Sequence, residues 1–150
     1  MSHTGVALAL SARLENSLEQ ILQSAMPNLS NAQKPRLFEG YGPLASFSSK
    51  IEITFALGHI KEEEKRYLHA IREIRNKFAH SPDHQLNFDS PEIIELCEKL
   101  PNKRDKTKRR LTHFLAAHLE CSNSLQHKLN VGVLVDALRG RSEQQKKPAG

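Results

Sequence analysis

Apolar residues recur at three- and four-residue steps through most of this chain, the period of helices buried along one side. Leu10, Leu14, Leu18, Ile21 and Ala25 form a first stripe, which Pro27 ends. Residues 28–42 then read as a connector, with a short helical piece over 35–39 and a stop at Gly40. Pro43 suits the first turn of a further helix, on which Leu44, Phe47, Ile51 and Phe55 keep the period. The run "KIEITFAL" also alternates for a few residues, so a strand is the alternative there. Its length and the lack of a hairpin partner favour a helix.

The next helix starts in "KEEEKRYL", where acids in the first turn complement the helix dipole. Tyr67, Ile71, Ile74 and Phe78 form its buried stripe. Four-residue spacing pairs Glu62 with Arg66 and Glu73 with Lys77. Pro82 pushes Ser81 out of helical geometry, which sets His80 near the helix end. "DSPEIIELCEKLP" predicts a compact helix capped by Ser90, opened by Pro91 and followed by Pro101. Leu111, Leu115, His118, Leu119, Ser122, Leu125 and Leu129 then trace a long amphipathic helix. "VGVLVDALRG" reads as one more short helix, with Gly132 weakening a continuous extension. The expectation is an all-α chain: one compact helical domain of about five main helices over 1–140, then a polar, disordered tail over 141–150.

Length and composition narrow this further. A chain of 150 residues suffices for one buried core. The formal net charge of +5 is not spread over the surface. Lys103, Arg104, Lys106, Lys108, Arg109 and Arg110 lie in the single window "KRDKTKRR" with one acid, which leaves 16 basic residues against 16 acidic ones elsewhere. Cys97 and Cys121 stand 24 positions apart with no Cys-x-x-Cys spacing, which suits a reducing cytoplasm better than a disulfide framework. "GVALALSA" has no basic segment before it and reads as a helix start, not a signal peptide. No apolar run approaches the roughly 20 residues of a membrane span. A soluble cytoplasmic protein with no membrane partner is therefore expected.

Two stretches carry a resemblance. "LFEGYGPLASFSSKIEITFALGHI", followed after a charged link by "LHAIREIRNKFAHSPDHQLNFDSPEI", resembles the mannitol operon repressor (MltR) family over residues 37–94. The resemblance implies an all-helical cytoplasmic bacterial protein grouped with regulators of mannitol uptake. "Repressor" need not mean direct operator reading, since no winged-helix or helix-turn-helix reader belongs to that family's fold. The helix end "IREIRNKFAH" is also similar to HEPN (higher eukaryotes and prokaryotes nucleotide-binding) domains. Many of those are metal-independent ribonucleases with an arginine followed at a short distance by a histidine, a pattern that Arg75, Asn76 and His80 fit.

The physical chemistry of that helix end stands beside the resemblance. Neither Arg75 nor Arg72 has an acid three or four residues away on its own helix. In a ribonuclease, His80 would act as base towards a ribose hydroxyl, Arg75 would stabilise charge on the phosphate, and Asn76 would orient either. On an unbroken helix, five residues turn the direction by roughly 140°, so Arg75 and His80 diverge. They converge only if the helix loosens before Pro82, or if two protomers supply one each. In the alternative reading these groups close the helix end or meet a neighbour, and Arg75 finds water, a residue from elsewhere or a ligand.

Other chemistry is sparse. Pro82 separates His80 from His84, and His118 falls on an apolar stripe, so the eight histidines do not assemble a metal-binding pattern. "GYGP" lacks the Lys-Ser/Thr of a phosphate loop; its glycines suit a tight connection between helices. No cofactor is expected. The basic run reads as a solvated loop or as a non-specific nucleic-acid contact, with no aromatic residue inside it to stack on bases. Taken together, the expectation is a regulatory module acting by macromolecular binding on a protein partner. It is expected to be a two-fold homodimer through surfaces near residues 70–80. A HEPN-type ribonuclease is the alternative.

Overall fold

The computed structural model describes residues 2–81, 85–101 and 109–145, except the side chains of 143–145. Among the described residues six helices follow in chain order: α1 (His3–Ser24), α2 (Gln33–Phe38), α3 (Phe47–Ala56), α4 (Glu62–His80), α5 (Pro91–Cys97) and α6 (Arg110–Gln145). No strand occurs among the described residues, so the alternation in "KIEITFAL" is not used. Helix α1 packs against α3, α4 and α6, while α5 rests on α4 and α6.

The buried set follows the helical period in most elements. Leu14, Leu18 and Ile21 of α1 meet Ile51 of α3 and Leu68, Ile71, Ile74 and Phe78 of α4 in one core. Phe88, in the loop before α5, is buried in this core: its ring packs in tilted contacts with centroids 5.0 Å from both Phe78 and Phe114 and 5.4 Å from His3. The Phe88 backbone N–H donates to His3 Nδ1 at 3.1 Å, which ties the loop to the first turn of α1. A smaller cluster of Leu22, Phe38 and Leu44 seats α2 under the end of α1.

Several local details depart from the sequence reading. Helix α3 starts at Phe47, not at Pro43, because the Ser46 hydroxyl accepts from the Ser49 N–H at 3.0 Å and caps it. Ser90 precedes α5 but its hydroxyl accepts from the Asn87 N–H, leaving Pro91 at the first helical position to define the start. Glu73 pairs with Lys99 beyond α5 at 3.0 Å instead of closing on Lys77, so it staples two elements. Gly40 takes φ 57° as a tight connection requires. Gly42 is needed for a different reason: a Cβ there would stand 2.5 Å from the carbonyl oxygens of Arg36 and Leu37.

The largest departure is in α6. It is one continuous helix through Gly132, without a separate short helix, and it carries into the expected tail as far as Gln145. Its buried residues are His113, Phe114, Ala117, His118, Cys121 and Leu125. Leu115 and Leu119, expected on the same stripe, are exposed on the other side. The helix therefore has two apolar sides, and a single-stripe reading merged them. Lys103, Arg104, Lys106 and Lys108 of the basic run lie outside the described residues, as do 146–150.

Helix α4 is tied to α6 through Glu64. Its carboxylate accepts from the Lys61 N–H at its own helix start, from the Ser124 hydroxyl at 2.7 Å and from Lys128 Nζ at 3.2 Å. Burial raises its pKa, but the bonds from Ser124 and Lys128 outweigh this and hold it below the ordinary 4.5. His118, buried between α6 and α1, has its pKa pulled below 6.5 by burial first and the Arg13 charge second, against a backbone hydrogen bond with Leu10.

Both shifts make the unfolded chain the stronger proton binder, so each contributes stability at high pH that is lost on acidification. Urea midpoints should fall in two stages, below the ordinary values of 6.5 and then 4.5. His118→Leu should remove the first stage and Glu64→Gln the second. A midpoint that stays flat from pH 7 to 4 would contradict both assignments.

Candidate functional site

The sequence singles out Arg75, Asn76 and His80, and the structure divides them. Helix α4 stays regular through His80, so it does not loosen before Pro82. Arg75 turns towards α1: its Nη1 donates to Asn76 Oδ1 at 2.9 Å, and its Nη2 stands 3.7 Å from Glu15 Oε2. His80 faces the other way, exposed at the helix end. It lines an open groove of about 610 Å³ between α4 and α5, with Glu73, Asn76, Lys77, Ser81, Glu92 and Leu96. Arg75 is not in that lining. Asn76 is the one residue common to both settings, its carbonyl oxygen held by Arg75 and its side chain on the groove.

The acid that Arg75 lacks on its own helix thus comes from α1, and it is shared. Lys50 of α3 is only 4 % exposed. Its Nζ lies 3.0 Å from Glu15 Oε1 and 3.3 Å from Glu19 Oε2, and it reaches the Ala45 carbonyl at 3.4 Å. A buried ammonium needs this: without paired carboxylates its desolvation would cost several kcal/mol. Glu15 and Glu19 sit four apart on α1 and so offer their carboxylates from one face. Arg75 adds a second, more exposed cation to the same carboxylate. The four charges link α1, α3 and α4 in a row. Sequence reading missed Lys50. The signal available was a lysine within the apolar period of "SFSSKIEITF", between Phe47 and Ile51.

Arg72, the other arginine without an intrahelical acid, donates from Nε to His69 Nδ1 at 3.3 Å, and His69 Nε2 meets Glu52 at 2.7 Å. That leaves Nε2 as the protonated ring nitrogen and makes a surface relay between α3 and α4. Cys97 and Cys121 are both free and buried, and burial pushes their thiols up to about 11 and about 12. At those values neither is a nucleophile. Among the described residues, no group of three or more metal-ligating side chains is placed around one point, and no helix is long and apolar enough to cross a membrane.

Comparison with known proteins adds a faint likeness. No protein-family model matches the sequence, and no curated protein matches it. Among solved structures, the fold is similar to a chain of the X-ray structure of the MtlR–HPr complex from Escherichia coli. That likeness has a TM-score of 0.47 and 19 % identity, over 85 % of each chain.

Within a single chain, then, the geometry does not bring Arg75 and His80 to one groove. The histidine has an amide, a lysine and two carboxylates for company, while the arginine belongs to the charge row beneath α1. Removing Lys50 should therefore matter more than removing either motif residue. Lys50→Ala leaves two half-buried carboxylates facing each other and should cost about 3 kcal/mol. Arg75→Ala removes a longer, partly exposed pair, screened by solvent, and should cost at most about 1 kcal/mol. His80→Ala should change stability by less than about 0.5 kcal/mol. Chemical denaturation of the three variants checks the order, and a larger loss for His80→Ala than for Lys50→Ala would refute it.

Proposed function

We propose that this chain is a regulatory interaction module of the mannitol operon repressor type, which acts by docking on a protein partner. The observation that carries this reading is the position of Arg75. The resemblance over residues 37–94 rests on "GPLASFSSKI" joined to an arginine-and-histidine helix end. Lys50 and Arg75, one from each stretch, meet on Glu15. The shared pattern is thereby accounted for as internal scaffolding of three helices, with no reaction required of it. The ribonuclease alternative needs Arg75 beside His80, and nothing in the geometry favours it.

The docking face in this proposal is the groove at the end of α4. Lys77 and His80 line it beside Glu73 and Glu92, and Leu96 adds an apolar wall. Mixed charge around an apolar patch suits a polypeptide surface, where a few polar groups fix orientation and apolar contact supplies affinity. The basic run is a second, separate contact in this reading. Arg109 is exposed and Arg110 opens α6, so these two charges sit at a helix N-terminus whose dipole they oppose. A polyphosphate backbone nearby would relieve that repulsion without being read in sequence.

The chain purified from its native host should retain a protein partner, and Lys77→Glu with Leu96→Arg should release it without changing the helical spectrum. Unmodified protein should leave RNA intact in the presence of a chelator. Metal-independent RNA degradation that vanishes in His80→Ala would overturn the reading in favour of an enzyme.

For the basic run, binding to duplex DNA should be weak and indifferent to sequence. Changing Lys108, Arg109 and Arg110 to glutamine should lower the slope of log affinity against log salt by up to about 2.7, three phosphate contacts' worth. Tight binding to one operator that tolerates added salt would refute this part.

A further inference from the structure

The outer side of α6 carries a second repeat that packing within the chain does not use. Ala116, Asn123, Asn130 and Ala137 recur every seven residues, and Leu119, Gln126 and Val133 recur every seven residues between them. The alternating steps of three and four are those of a coiled-coil seam. At 100° per residue, Leu119 points roughly 160° away from the buried Cys121, so the seam faces outward. Every one of these residues is exposed. Leu119 and Val133 are 59 % and 70 % exposed, and the flanking Leu115 and Leu134 are 42 % and 60 % exposed. No Lys, Arg, Asp or Glu interrupts the seam from Thr112 to Gly140.

The helix also runs on where its own chain cannot support it. From Asn130 to Ser142 no side chain is buried, although α6 continues to Gln145. A helical segment of that length, alone in water, is marginal. Exposed leucine and valine along it raise the same demand for a partner.

We propose that α6 pairs in parallel with α6 of a second copy of this chain, along this seam. Three features select that occupant. First, asparagine at the first core position of two successive heptads meets its own copy in a parallel, in-register pair, and each amide finds an amide. An antiparallel seam over the same span sets Asn123 against Val133 and leaves its amide unsatisfied. Second, a parallel pair brings each flank position against the residue five further along the partner helix. That sets Asp136 beside Arg141 of the second copy, opposite charges at the open end, and Leu129 beside Leu134. Third, the seam is flat in charge along its whole length, so two identical faces meet without repulsion. The contact differs from the surface near residues 70–80 expected from the sequence. It does not depend on the groove at His80.

Sedimentation equilibrium of the full chain tests this. The unmodified protein should dimerise reversibly in the micromolar range. Leu119→Glu with Val133→Glu should weaken association at least ten-fold while circular dichroism keeps its helical signal. Asn130→Lys, a single change that preserves helix propensity, should act in the same direction and guards against misfolding of the double variant. Leu138→Glu changes an exposed residue that lies off the seam and should leave the dimer intact. Asn130→Cys should form an inter-copy disulfide on oxidation, since the two positions face each other in register and the native Cys97 and Cys121 are buried. A monomer at several hundred micromolar would overturn the proposal, as would a dimer indifferent to both seam variants. A dimer in which Asn130→Cys fails to cross-link would overturn the parallel arrangement.

Discussion

A lysine held inside the protein by two carboxylates sets the arrangement of the first half of the chain. Lys50 cannot be buried unless Glu15 and Glu19 are there to meet it, and those carboxylates reach it only if α1 lies along α3 at one register. Apolar packing alone would allow the helices to slide by a turn at modest cost, because leucine against leucine is tolerant. A buried ion pair is not tolerant. Moving one partner by a helical turn strands a charge, so the row of charges fixes register where the apolar core supplies most of the attraction. Arg75 extends the same constraint to α4, and Glu64 repeats it at the other end of α4 with Ser124 and Lys128 of α6. Each long helix is thereby tied to its neighbour by at least one polar contact between distant parts of the sequence.

The helices themselves were legible because periodicity and proline are local signals. Pro27, Pro91 and the acids at 62–64 mark ends that the structure keeps within a few residues. Registers between helices were not legible, because they depend on which charges meet across space. Four-residue spacing offered Lys77 for Glu73, and Lys99 from a different element took it. The same spacing showed Arg75 without an acid, and that absence was the more useful clue, since a cation missing its local partner has to find one elsewhere. The long helix failed differently. Leu115, His118 and Leu119 fit one loose period, yet His118 is buried and the two leucines are exposed. A helix with apolar residues on two sides gives no single direction, so periodicity alone could not separate its sides.

The division between Arg75 and His80 also shows why a short motif at a helix end is a weak guide to chemistry. Five residues of regular helix turn two side chains well apart, and chemistry at one phosphate needs both within hydrogen-bond reach of it. Here each residue has a sufficient physical reason to be where it is. Arg75 completes a charge row, and His80 stands exposed in the last turn of α4, on the wall of the groove. Asn76 spans the two environments, which gives the groove a rigid polar edge without giving it a catalytic pair.

The two sides of α6 put the molecule's stability and its association on one element. The inner side is filled by α1, α4 and α5 as far as Leu125. The seam on its outer side is left uncharged from Thr112 to Gly140 in a chain where about a quarter of residues are charged. A solvent-facing helix ordinarily spreads its charges over the exposed arc, since ions there cost nothing to hydrate and keep neighbours apart. On α6 the exposed charges Glu120, Asp136, Arg139 and Arg141 stand off the heptad positions and never on them. Solvation alone does not require such a distribution, whereas helix pairing does: a charge on the seam would have to be buried, while a charge at its edge can meet its opposite. The edge positions then set orientation, and the asparagines within the seam set register, so the polar residues that weaken the contact are the same ones that make it specific.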